Sequence, residues 1–178
     1  MNISGLSTDI FFIAAIKTNE DLMDMLPAHD VYDNVANPDE DMDNVPLPYI
    51  IVNNDGGQNI AESKDDEYES PDDQVNISIR IVACNRDQLD TIVSEVRKTI
   101  HSCVQIPLAI PAANASTDSD DEPEDVTPLA PYQYDLSFSD ISFSPDKPCH
   151  QIMLYYACQV ANDLFNEDEE NDEQEINL

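Results

Sequence analysis

Within one stretch, "QVNISIRIVACNRDQLDTIVSEVRKTI" at 74–100, the hydrophobic period switches from 2 to 3.6. That switch constrains the fold more than any other feature of the chain. Val75, Ile77, Ile79, Ile81 and Ala83 alternate with Asn76, Ser78, Arg80 and Val82. The alternation and the β-branched side chains predict a strand with one buried face. After Asn85 the apolar residues fall at Leu89, Ile92, Val93, Val96 and Ile100, one stripe of a helix opposite Asp90, Ser94, Arg97 and Lys98. Asn85 is the expected N-cap, Asp87 suits the positive end of the helix dipole, and Arg97, Lys98 and His101 suit the other end. Such a unit needs a sheet to join and a core for the helix to cover.

The rest of the chain supplies both. "DIFFIAAIK" (9–17) after Thr8 is apolar on most sides, which predicts a helix buried on more than one face or against a neighbouring subunit. Thr18 and Asp21 make a capping-box-like start for its continuation or restart, which Pro27 ends. "DVYDNVA" (30–36) is a short strand candidate. "PLPYIIVNNDGG" (46–57) predicts a strand core at Tyr49–Val52 followed by a turn at Asn54–Gly57. The Pro- and Asp-rich stretch 104–131 reads as a long excursion. In "YQYDLSFSDISF" (132–143) the apolar phase shifts after Phe138, which predicts a bulge or break near Ser139–Asp140. "SPDKP" (144–148) is a turn, and Ile152, Leu154, Tyr156, Cys158 and Val160 share one face of a last strand. That strand is apolar on both faces, consistent with a central position or an oligomer contact. The expectation is one α+β domain over 1–165, a mostly antiparallel sheet with two helices packed on it, and an acidic tail at 166–178.

Charge narrows the function classes. The 178 residues hold 38 Asp and Glu against seven Lys and Arg, a formal charge of -31. Direct high-affinity nucleic-acid binding needs the opposite sign, and an anionic membrane surface repels such a chain. The acids cluster at 38–43, 62–73, 117–125 and 166–175, runs that read as solvated loops and a tail. Cys84, Cys103, Cys149 and Cys158 form no C-x-x-C pair, which fits reduced thiols and a cytoplasmic setting for synthesis. The apolar run near the N-terminus is short, has no basic start and no A-x-A site, so neither a signal peptide nor a membrane span is expected. His29, His101 and His150 have no ligand-spaced partner. Asp39, Asp41 and Asp43 imitate a calcium loop, but Asn44 and Ile50 stand where Gly and Glu are needed. No phosphate-cradling or nucleophile motif occurs. The chain therefore reads as a non-enzyme with no metal and no cofactor.

The element order resembles the tail-completion and tail-terminator proteins of tailed phages. Pro48-Tyr49-Ile50-Ile51-Val52 matches their Pro-Tyr-apolar strand, Val75 to Lys98 their strand and amphipathic helix, and Tyr132–Phe143 with Gln151–Val160 their closing hairpin. Two departures are the length of 104–131 and the extreme charge. The resemblance implies a virion structural protein, a homo-hexameric ring joining the tail tube to the head connector at the neck. On that reading, Phe11, Phe12, Ile152, Leu154 and Tyr156 are expected at subunit contacts. The acids Asp65, Asp66, Glu67, Glu69, Asp72 and Asp73 are expected to line the channel or grip the next ring. A negative lumen suits a DNA conduit because phosphates do not adhere to it.

Two other classes compete. An acidic DNA mimic, inhibiting a nucleic-acid-binding enzyme, needs carboxylates fixed on helices or strands at about one charge per 1.7 Å. An adaptor with an acidic, solubilising tail needs only the composition. Where the charge lies separates the mimic from the ring, and particle symmetry separates the ring from both.

Overall fold

The structure is a computed structural model that describes residues 8–33, 45–59, 73–104, 131–144 and 148–160. The elements run α1 (Thr8–Lys17), α2 (Glu20–Asp24), β1 (Tyr32–Asp33), β2 (Tyr49–Asn59), β3 (Asp73–Ala83), α3 (Arg86–Cys103), β4 (Gln133–Phe138), β5 (Ser142–Ser144) and β6 (Cys149–Val160). One sheet holds all six strands in the order β1-β2-β3-β6-β4, with β5 also on β6. Every pairing is antiparallel except β1 with β2. This is the expected α+β class.

The 74–100 unit folds as its periods dictate. The alternating Val75, Ile77, Ile79, Ile81 and Ala83 are buried, while Asn76 and Arg80 are exposed on the other face. The Asn85 side chain accepts the Gln88 backbone N–H at 2.9 Å, and Leu89, Ile92, Val96 and Ile100 are fully buried. α3 packs on β3 and β6, and α1 packs on α3 and β2. Both long helices thus close over one core, into which Ile50, Val52, Leu154, Tyr156 and Cys158 also point. β6 lies between β3 and the β4–β5 pair, the central position its doubly apolar pattern allows.

α2 is a restart, not a continuation of α1. Its N-cap is Asn19 in place of the expected Thr18: Asn19 Oδ1 accepts the Leu22 N–H at 3.0 Å. The same amide donates to Thr99 Oγ1 at 2.8 Å, and Thr99 donates to the Glu95 carbonyl. One side chain therefore caps a helix and ties it to α3, 80 positions away.

The turn expected at Asn54–Gly57 is a bulge inside β2 instead. Register with β3 slips between Asn54 and Gly57, and the strand continues to Asn59. Asn54 Oδ1 accepts the Gly56 N–H at 2.9 Å, and Gly56 sits at φ +91°. This local side-chain-to-backbone loop uses the turn residues to absorb an offset without reversing the chain. At Gly57 a Cβ would meet the Gln74 carbonyl oxygen of the paired strand. Gly57→Ala is therefore expected to cost about 1–3 kcal/mol by overpacking, read as a lowered denaturant midpoint.

Candidate functional site

Phe11 and Phe12 are fully buried, Leu154 and Tyr156 are 1% exposed and Ile152 is 7% exposed. The expected subunit contact is thus corrected: all five lie in the subunit's own core. The reason is geometric. α1 is flanked by α2, α3 and β2, so an apolar surround is consumed inside one chain. The Phe12 ring meets Phe11 at 5.8 Å and Tyr156 at 5.2 Å between centroids. Of the acids expected along a lumen, Asp73 opens β3 opposite Asn59 and Val160. Asp65, Asp66, Glu67, Glu69 and Asp72 lie outside the described residues, as do most of 104–131 and all of 166–178.

Free apolar surface lies elsewhere. Phe138 is 63% exposed and Phe143 is 56% exposed. β4 and β5 form one margin of the sheet, interrupted at Ser139–Ile141 as the phase shift predicts. Among the described residues β4 pairs only with β6, so its outer backbone edge has no strand beside it. Phe138 stands opposite Leu154 and Phe143 opposite His150, so both project on the helix-bearing side, about 13 Å apart along β6. α3 rests on β3 and β6 and leaves both rings mostly exposed. Tyr134 and Leu136, half-buried beside α3, extend the same strip. A bare edge with an apolar strip is a pairing surface, and among the described residues of β4, β5 and the break between them the charges that commonly guard such edges are limited to Asp135 and Asp140. Sequence reading placed Phe138 and Phe143 in the hairpin's apolar set but had no means of seeing that none of the described helices covers them.

A groove of about 410 Å³ separates α3 from β4. Val93, Tyr134 and Leu136 form its apolar lining, and Arg97, Lys98 and His101 crowd one end. His101 Nδ1 and the Tyr134 hydroxyl share a 3.1 Å hydrogen bond. Lys98 pairs with Glu95 at 2.6 Å, which holds that carboxyl below its usual range. Arg97 has no ion pair among the described residues. No group of three or more His, Cys, Asp or Glu is placed to hold a metal ion among the described residues, and none of the described helices is long and apolar enough to cross a membrane. All four cysteines are free thiols, and burial pushes Cys158 up to about 12.

Two buried groups carry an energetic cost. The Tyr156 hydroxyl is buried with no hydrogen-bond partner among the described residues, and its burial raises the phenol well above its ordinary value. Removing that oxygen removes a desolvation cost of about 1–3 kcal/mol. Tyr156→Phe is therefore expected to be at least as stable as the native chain in urea unfolding. Asp9, 7% exposed, is pushed above the carboxylate range first by burial and then by Asp33, against the Ile10 N–H bond that lowers it. The folded state thus holds this proton more tightly than the unfolded chain does. The penalty for the charged form is absent below the unfolded value of about 4 and grows as pH rises through the folded one. Asp9→Asn keeps an acceptor for the Ile10 N–H. It should be more stable than the native chain at pH 7, with the gap closing toward pH 4 in parallel thermal melts.

No family model and no curated protein matches the chain.

Proposed function

We propose that the chain is a non-catalytic virion subunit that assembles into a ring at the head–tail junction of a tailed phage, in the role of a tail terminator. One observation carries the reading: the subunit closes its own core yet leaves an apolar strip, Phe138 and Phe143 at its centre, along a sheet edge that no other strand pairs among the described residues. A ring needs a heterologous contact, in which one patch meets a different patch on the next copy. An exposed edge on one flank supplies the first of these. The lumen role proposed for 62–73 would place negative charge along the DNA path. The partners on this reading are further copies of the chain, the tail tube and the head connector, and its place is the virion neck.

The test is sizing and negative-stain microscopy of the purified chain, alone and mixed with tail tubes. Closed rings of sixfold symmetry, free or capping tube ends, are expected. A chain that stays monomeric beside tube ends, or that instead forms a salt-sensitive complex with a basic nucleic-acid enzyme, overturns the proposal in favour of the adaptor or the DNA mimic.

A further inference from the structure

Copies of a chain with a formal charge of -31 repel one another. A contact between them is favoured where the sign reverses locally, because at physiological salt exposed charges act strongly only within about 8 Å. Arg97 and Lys98 are the one adjacent pair among the seven Lys and Arg of the sequence. With His101 they stand exposed at one end of the groove between α3 and β4. Lys98 shares Glu95, Asp90 is engaged by Arg86, and Arg97 has no ion pair among the described residues. Tyr134 and Leu136 line this groove and also extend the Phe138–Phe143 strip, so cations and strip form one continuous margin.

The opposite margin carries the complementary pattern. β1 and β4 end the strand order, four strand spacings or about 19 Å apart. α1 packs on β1 and β2 and carries α2 beside it. On α2, Glu20, Asp21 and Asp24 are exposed, and Glu20 and Asp21 have no ion pair among the described residues. On α1, Ile10 is 43% exposed, one of four large hydrophobic side chains in water among the described residues, with Phe138, Phe143 and Tyr155.

Both patches run in the same order along the strands. Asn19, the α2 N-cap, is bonded to Thr99, and His101, two residues on, is bonded to Tyr134. Acids and cations therefore flank the same end of α3 on its two sides. Farther up, one register row crosses the sheet from Asp33 through Val52, Ile79 and Leu154 to Phe138. Asp9, next to Ile10, lies within the field of Asp33, so Ile10 and Phe138 stand near one level. From Tyr134 to Phe138 along β4 is about 13 Å, and from Ile10 to Lys17 along α1 about 10 Å. Two copies set side by side in the same orientation bring cations to acids and Phe138 to Ile10 together.

We propose that the β4 margin of one copy seats the α1–α2 flank of the next, Arg97 and Lys98 against Glu20, Asp21 and Asp24, and Phe138 against Ile10. The inference rests on the ring reading above and names the second patch of its heterologous contact. Unlike patches on opposite flanks are what a head-to-tail ring requires.

Charge exchange tests it under the conditions in which the native chain forms rings. Arg97→Glu/Lys98→Glu and Glu20→Lys/Asp21→Lys are each expected to weaken the contact roughly tenfold or more by setting like charges together, and each alone should run as a monomer on sizing. Mixed in equal amounts, the two variants should form rings again, since each then offers the other an opposite charge and six places alternate without a mismatch. Thermal melts report whether each variant folds. Carbodiimide coupling of native rings, assembled from isotopically light and heavy chains, needs no variant: Lys98 of one copy should be joined to Glu20, Asp21 or Asp24 of another, with the Lys98–Glu95 link within a copy as the internal control. Rings that persist in either folded variant, a mixture that stays monomeric, or coupling confined to single copies overturns this contact and leaves the ring reading standing. A native chain that forms no ring even beside tail tubes overturns both.

Discussion

Phe12→Ala is expected to bring the domain to the edge of unfolding while creating no soluble, assembly-deficient subunit. The side chain is fully buried, with rings on two sides and α3 and the sheet around it. Truncating a buried Phe removes its transfer free energy and leaves a cavity that its neighbours fill only in part, at a cost of about 3–5 kcal/mol. A domain of this size has about 5–15 kcal/mol in total, so the loss is a large fraction of the whole. Urea unfolding checks it: the midpoint should fall sharply with the slope unchanged. A variant with a native midpoint that had lost only self-association would return Phe12 to the subunit surface and refute the core described above.

The contrast between Phe12 and the 74–100 unit explains what the sequence makes legible. Strand, cap and helix there were readable because each signal is local: β-branched alternation, an Asn beside a helical stripe, charges matched to the dipole. The break after Phe138 was readable for the same reason. α1 was not fully readable, because an apolar run surrounded by apolar partners looks identical whether those partners belong to its own chain or to a neighbour. The Asn19–Thr99 bond, closing α2 on α3, is the kind of long-range contact that decides it. Asn54–Gly57 failed differently. Its turn chemistry was read correctly, but whether an αL glycine reverses a strand or only bulges it depends on the strand paired beyond it. The exposure of Phe138 was not legible at all: alternation marks which side chains share a face and says nothing about how far a helix extends over that face. The grouping of Arg97, Lys98 and His101 with Tyr134 and Leu136 likewise needs the β6 register, which joins residues distant in sequence.

Replacing both edge phenylalanines, Phe138→Ser with Phe143→Ser, is expected to abolish the ring formation proposed above while leaving the subunit folded. Both side chains are mostly in water already, so their loss should change stability by no more than about 0.5 kcal/mol each. In an assembled contact the same two rings would be desolvated. Burying a Phe is worth about 1.5–3 kcal/mol, so each interface would lose about 3–6 kcal/mol, which weakens it roughly 10²- to 10⁴-fold. A closed ring multiplies that loss over every interface, and assembly at micromolar subunit concentration should disappear. Tyr155→Ser is the matched control: it is 41% exposed but lies on the opposite face of the sheet from the strip, opposite Ser78 and Ser137. Its ring-forming behaviour should be native. Sizing with thermal melts separates the outcomes. Rings retained by the double variant would mean that copies meet through some other surface, and a large drop in melting temperature would mean that Phe138 and Phe143 belong to the fold. Only a folded, unassembled double variant beside an assembling Tyr155→Ser fits an edge made for a neighbour.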